Sequence, residues 1–210
     1  MEIKLLIFDF DGTLFDTSDS IAHVVNFTLQ KFNKKELDKE TIWTYTGDGL
    51  KKTIERAFKD CDKVTIEEAY KVAIAYYSSH AADFVVPIDN VIEFIQKNTK
   101  KKVILSNKPI QPLIEILEKF NVSKYFDAVY GYESTEYVKP DPRTIEIILE
   151  KFDMKKEEAV LIGDADQDIL TAANAGIKCF IIPSKKINVK AEYKVFKDYS
   201  ELEKLLQNKI

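Results

Sequence analysis

The run from Ile3 to Phe8 is apolar except for Lys4, and it stops abruptly at Asp9-Phe10-Asp11-Gly12-Thr13. A short, nearly unbroken apolar stretch suits a strand buried on both faces, as in a parallel sheet covered by helices. Side chains two residues apart on extended backbone point the same way. Asp9 and Asp11 are therefore expected to converge at the carboxyl end of the first strand, the edge on which open α/β sheets bind ligands. Two like charges so close repel, and a nearby cation is the simplest compensation. Asp and Gly are also turn formers. The segment therefore gains functional meaning only if later strands bring matching groups to the same edge.

Residues from about 16 to 83 read as helices alone. Asp16-Thr17-Ser18 supplies N-cap candidates. Ile21, Val24, Val25, Leu29 and Phe32, with Thr28 among them, form a helical stripe. More helix follows around Thr41 to Tyr45, and the Thr46-Gly47-Asp48-Gly49 stretch breaks it. Two further stripes run through Leu50, Ile54, Ala57 and Phe58, and through Ile66, Ala69, Tyr70, Ala73, Ile74 and Tyr77. Such a block after the first strand of a sheet implies a small helical domain, residues 16–83, carried by a core of residues 1–15 and 84–210.

Strand–helix alternation sets in near Phe84. Pro87 is expected to open a helix carrying Val91, Ile92 and Ile95. Val103-Ile104-Leu105 reads as a strand ending in Ser106-Asn107, and Pro109 as the first turn of a helix. A strand follows from Phe126 to Tyr130, then a helix capped by Asp141 with Pro142 at its first position. The strand from Ala159 to Ile162 ends in Gly163-Asp164. The next helix stops at Gly176 in a left-handed conformation, and a strand runs from Cys179 to Ile182. Ser200 with Glu203 resembles a capping box for a last helix. This alternation implies a doubly wound, Rossmann-like parallel sheet with helices on both faces.

Composition narrows the function. Lys and Arg number 31 against 35 Asp and Glu, a net charge of −4, where a nucleic-acid binder is usually basic or carries a basic patch. Lys100 to Lys102 is the nearest thing to one and reads as the solvated end of a helix before a strand. No apolar run approaches the ~20 residues that span a bilayer. The chain opens directly on a strand, so no signal peptide is expected. Cys61 and Cys179 lack partners at metal spacing and suit a reduced, cytoplasmic protein.

Across the sheet, the strand ends deliver a coherent set. Asp9 and Asp11 follow the first strand, Ser106 and Asn107 the Val103 strand, and Asp164 the Ala159 strand, with Asp166 and Asp168 close behind. Lys139 lies in the loop beyond Tyr130. Parallel strands open these loops on one edge. Acids able to hold Mg²⁺, together with a Lys, a hydroxyl and an amide, form an inventory for phosphoryl transfer. Each piece has a plain alternative as a turn or cap, but all must hold at once at the right strand ends.

Taken in order, Asp9-Phe10-Asp11-Gly12-Thr13, Ser106-Asn107, Lys139-Pro140 and Gly163-Asp164-Ala165-Asp166-Gln167-Asp168 resemble the haloacid dehalogenase-like hydrolases, over essentially the whole chain. The resemblance implies a Rossmann-like core with an inserted helical cap. It casts Asp9 as nucleophile and Mg²⁺ ligand, and Asp11 as general acid and base whose backbone carbonyl also faces the metal. Ser106 and Asn107 become phosphoryl-oxygen donors, with Thr13 also on the substrate side. Lys139 becomes the steadying cation, Asp164 the remaining Mg²⁺ ligand, and Asp168 an orienting group. Asp166 is expected to be a cap, and Ala165 stands where relatives often place Ser.

Asp11 argues against carbon–halogen cleavage, since dehalogenases of the superfamily lack it. Three details resemble the phosphoglycolate phosphatase-like group: the size of the helical block, Gly47-Asp48-Gly49-Leu50, and Ser106-Asn107-Lys108-Pro109. The expected activity is Mg²⁺-dependent hydrolysis of a small phosphorylated metabolite, with no nucleic acid and no membrane involved. A β-phosphoglucomutase-type isomerase, a pyrophosphatase or nucleotidase, and a non-catalytic binding protein stay open as alternatives. So do the roles of Trp43, Tyr45, Gly47 to Gly49 and Arg56. Cap hinges are expected near Phe15-Asp16 and Asp83-Phe84.

Overall fold

In the computed structural model, which describes residues 2–184 and 187–207, the first apolar run forms strand β1 (Leu5–Phe8), buried at every position. A two-residue strand β2 (Phe15–Asp16) follows, then four helices: α1 (Ser18–Lys31), α2 (Lys39–Tyr45), α3 (Leu50–Ala57) and α4 (Lys63–His80). Strand β3 (Val86–Pro87) pairs antiparallel with β2 and closes the helical segment with a short ribbon. Alternation then runs through α5 (Val91–Lys97), β4 (Lys101–Leu105), α6 (Ile110–Lys119), β5 (Ala128–Tyr130), α7 (Arg143–Phe152), β6 (Ala159–Gly163), α8 (Asp166–Ala175), β7 (Lys178–Ile181), β8 (Lys194–Val195) and α9 (Tyr199–Gln207).

The six-stranded sheet has the order β5-β4-β1-β6-β7-β8, and every pairing in it is parallel. The expected α/β, Rossmann-like architecture is therefore the one observed. Alternation along β1 explains the two layers. Leu6 and Phe8 join one apolar cluster with Phe94, Leu113 and Tyr199, from α5, α6 and α9. Leu5 and Ile7 join the other with Ile145, Ile148, Ile169 and Ala172, from α7 and α8. Truncating such a fully buried Leu to Ala costs about 2–5 kcal/mol. In the helical segment α1 packs on α4 and α2, α3 packs on α4, and α4 rests on α6. No helix among the described residues is long and apolar enough to cross a membrane.

Several local expectations are corrected. Pro87 lies in β3, and the helix starts only at Val91, after Asn90 in a left-handed conformation. Lys101 and Lys102 belong to β4 rather than to a solvated helix end. Strand alternation turns Lys102 inward to 6% exposure, and its Nζ donates to the carbonyls of Asn98 and Lys100 at 2.6 and 2.9 Å. Its stem thus covers apolar surface while its head reaches carbonyls just past the end of α5. Pro109 immediately precedes α6 rather than opening it. The cap of α9 is Asp198, whose Oδ1 accepts from Glu201 N at 2.8 Å, and Ser200 lies inside the helix. Asp166 is the first residue of α8 and not its cap; its Oδ1 accepts from Asn188 N at 2.9 Å. Strands β2, β3 and β8, of two residues each, are too short to leave a sequence period.

Candidate active site

The carboxyl ends of β1, β4 and β6 meet at one cleft. Asp9 extends β1 by donating its N–H to the Ile162 carbonyl at 2.8 Å, and its side chain turns into the cleft wall. Lys139, from the loop between β5 and α7, reaches across the sheet edge. Its Nζ donates to Asp9 Oδ1 and Asp168 Oδ1, both at 2.6 Å. Asp168 in turn accepts the N–H groups of Asp164 and Ala165 on its Oδ2, at 3.1 and 3.2 Å, which fixes it against the first turn of α8. The Asp168 carboxyl fills the space where a Cβ on Gly163 would stand, so a side chain there would displace it.

Asn107 ties the loops together. Its Oδ1 accepts from Lys139 N at 2.9 Å, and its Nδ2 donates to the carbonyls of Lys139 and Gly47 at 3.0 and 3.1 Å. Its side-chain amide is thus committed to backbone. Ser106 is buried beside it, with Oγ accepting from Lys108 N at 3.3 Å. Asp11 accepts on one oxygen from the Thr17 hydroxyl at 2.6 Å and from Lys108 Nζ at 2.8 Å. Thr13 is fully buried outside the cleft lining. Its hydroxyl has no hydrogen-bond partner among the described residues, and its carbonyl accepts from the Tyr199 hydroxyl at 2.7 Å.

Charge is unbalanced at this edge. Asp9, Asp164 and Asp168 each present an oxygen within 4.8 Å of the others. Among the described residues one ammonium, Lys139, faces the three, while Lys108 offsets Asp11. Burial, only partly offset by Lys139, pushes the Asp9 carboxyl up to about 6. Burial works against the Lys139 ammonium too, but Asp168 and Asp9 outweigh it and raise its pKa. Among the described residues, an excess of two negative charges on hard oxygen donors fits a divalent cation such as Mg²⁺. Both Asp168 oxygens are taken by Lys139 and backbone N–H groups, so Asp9 and Asp164 are the carboxylates placed to hold one. Gly12, at φ +80°, lies so close to Asp164 that a Cβ there would strike its carboxyl group.

The helical segment forms the opposite wall with Ile21, Trp43, Thr46, Leu50, Thr53 and Tyr77. The free space between the walls is only about 50 Å³. The Gly47–Gly49 turn presses on the core: at Gly49, φ +89°, an added Cβ would lie 2.9 Å from the Asn107 carbonyl. Asp48 accepts from Gln167 Nε2 on α8 and pairs with Arg56. Arg56 also donates to the Tyr45 carbonyl at 2.5 Å and is not among the residues lining this cleft, whereas Trp43 is. Sequence reasoning singled out neither Lys108 nor Tyr77 for the site. The one local signal was a Lys immediately after Ser106-Asn107.

Known proteins resemble this chain along most of its length. The family model for haloacid dehalogenase-like hydrolases matches residues 6–182. A phosphoglycolate phosphatase from Psychrobacter arcticus is 33% identical over 188 residues, covering 84% of this chain and 82% of that protein. A provisionally named pyrophosphatase, PpaX, from Caldanaerobacter subterraneus is 29% identical, covering 85% and 80%. Among solved structures, a chain described as a phosphoglycolate phosphatase by prediction, from Haemophilus somnus, superposes with a TM-score of 0.91 over 99% of both chains. At 22% identity that likeness speaks for the fold alone. The chain therefore belongs to the haloacid dehalogenase-like hydrolases, within their phosphoglycolate phosphatase-like group, and is an enzyme of the phosphatase type.

Proposed function

We propose that this phosphatase hydrolyses a small phosphomonoester of the phosphoglycolate kind in two steps, through an aspartyl-phosphate on Asp9. The observation that carries the reading is the Lys139 ammonium held 2.6 Å from both Asp9 and Asp168 at the mouth of β1. A buried carboxylate steadied in this way is oriented for attack, and the ammonium offsets charge as it builds on the phosphoryl oxygens. Asp9 attacks phosphorus and the ester P–O bond breaks. Asp11, two residues on, gives its proton to the departing oxygen. Asp11 then takes a proton from water as that water attacks phosphorus, the bond to Asp9 breaks, and inorganic phosphate leaves. The Ser106 hydroxyl receives a phosphoryl oxygen, since the Ser106 N–H is already given to the Tyr130 carbonyl. Asn107 acts mainly by holding Lys139 and the Gly47 turn in place. Asp9, Asp164 and the Asp11 carbonyl would hold Mg²⁺, which supplies charge neutralisation at the phosphoryl group.

The helical segment, residues 16–83, serves in this reading as a cap that opens at the β2–β3 ribbon to admit substrate and closes to exclude bulk water. Thr13 supports the first loop from the core side. A panel of phosphoglycolate, pyrophosphate, sugar phosphates and nucleoside monophosphates, assayed for free phosphate with and without Mg²⁺, tests the reading. The expected result is Mg²⁺-dependent release, fastest from a small ester and lost in Asp9→Asn. A bisphosphate requirement without free phosphate would indicate an isomerase instead. No release from any ester would contradict the assignment.

A further inference from the structure

Lys108 is the cation of the cleft that the proposed chemistry leaves without a task. Its side chain is only 1% exposed, and its Nζ donates to Asp11 Oδ1 at 2.8 Å and to the Tyr77 hydroxyl. The ammonium also lies over the Tyr77 ring, 4.6 Å from its centroid. An ammonium has three N–H donors, and two are used by these contacts. Burying a lysine is costly unless it is well paired, and Asp11, whose side chain is 22% exposed, could be balanced from solvent. The opposite wall offers no charge: Ile21, Trp43, Leu50, Thr53 and Tyr77 line it. Among the described residues a second negative charge on a substrate would therefore be met from the core side, where Lys139 is already held by two carboxylates.

We propose that Lys108 recognises a carboxylate on the carbon next to the ester oxygen, so that the cleft selects phosphate monoesters of 2-hydroxy acids over those of uncharged alcohols. This rests on the phosphatase reading above, in which Asp11 acts at the leaving oxygen. That oxygen must come within a hydrogen bond of the Asp11 carboxyl. A carboxylate one carbon beyond it lies about 3 Å further, one hydrogen-bond length, and so within reach of an ammonium 2.8 Å from Asp11. On binding, the substrate carboxylate replaces Asp11 as the ammonium's partner, which leaves Asp11 to the leaving oxygen. Free space of about 50 Å³ suits a short leaving group, since one water needs about 10–15 Å³ on such a measure. Tyr77, on α4, is a positioning residue that aims the ammonium.

The test compares kcat/KM for 2-phosphoglycolate and 2-hydroxyethyl phosphate, esters of equal length differing in the terminal carboxylate. Taking the ratio cancels any loss common to both, such as a displaced Asp11. The wild type should favour the carboxylate about tenfold to a hundredfold, the worth of one charge-assisted hydrogen bond. Lys108→Met should bring the ratio near unity. Tyr77→Phe, which keeps the ring, should lower it part of the way. An unchanged ratio in both variants would overturn the proposal, as would a wild type that hydrolyses the two esters equally well. A wild type that prefers pyrophosphate to both, with only that preference lost in Lys108→Met, would overturn the carboxylate assignment. Hydrolysis of neither ester by the wild type would defeat the underlying phosphatase reading and this proposal with it, a result visible before any variant is made.

Discussion

The two walls of the cleft are built on different chemical principles. The sheet-edge wall holds Asp9, Asp11, Lys108, Lys139, Asp164 and Asp168, and nearly every carboxylate is matched by an ammonium or by backbone N–H groups. The helical wall offers an indole, two threonines, two aliphatic side chains and a phenol, and no charge. Charge is costly to bury and must be held rigidly, so it belongs on the ends of buried strands, where ladders on both sides fix the backbone. Neutral side chains would tolerate the opening and closing proposed for the helical segment. Chemistry is thus assigned to the rigid wall and fit to the other.

Substitutions on the two walls should accordingly behave differently. Asp9→Asn should lower turnover by about 10⁴-fold or more, because an amide neither attacks nor balances a dication. Circular dichroism should show the fold unchanged, and near-wild-type rates would break the division between walls. Lys139→Met should cost about 10²–10³-fold in kcat. It should also remove about 3–5 kcal/mol of stability by leaving Asp9 and Asp168 buried and unpaired, which urea denaturation reads directly. An intact stability would mean that these carboxylates find another partner.

Metal binding sharpens the same contrast. Mg²⁺ at a hundred times its Kd should stabilise the chain by about 2.7 kcal/mol, roughly 5–10 °C in melting temperature for a chain of this size. Asp164→Asn should lose that increment, whereas a substitution on the helical wall should keep it; an equal increment in Asp164→Asn would remove Asp164 from the metal site. Smallest of all, Trp43→Leu should raise KM about threefold to tenfold with kcat held within about threefold. A collapse of kcat there would show that the neutral wall shares in the chemistry.

Much of the rigid wall could be read in the sequence, because β1, β4 and β6 are short apolar runs that end sharply in polar residues. Asp9, Ser106, Asn107 and Asp164 then fall at the ends of parallel neighbours, and the structure brings them together with Lys139 and Asp168. Lys108 was missed for a physical reason. A Lys before Pro at a strand end reads as a solvated turn, and what buries it is Tyr77, 31 positions earlier on α4, which reads as an ordinary core stripe. The inward turn of Lys102 has a different origin: it follows from alternation in β4, and the carbonyls it reaches are only four and two positions back, so the error lay in reading this stretch as the end of a helix. The misplaced cap of α9 is different in kind. Asp198 and Ser200 are both good cap residues, and only the actual first turn decides between them.

The claim on which the rest depends is that Asp9 carries the phosphoryl group between the two steps. In the proposed mechanism Asp11→Asn removes both the acid of the first step and the base of the second, and an adduct collects when water attack becomes the slower of the two. That variant, mixed with phosphoglycolate and Mg²⁺, quenched in acid and digested, should yield a phosphoryl adduct on the peptide containing Asp9. The adduct should be missing when Asp9→Asn is added. An adduct on any other residue, or phosphate release at the wild-type rate from Asp9→Asn, would contradict the account.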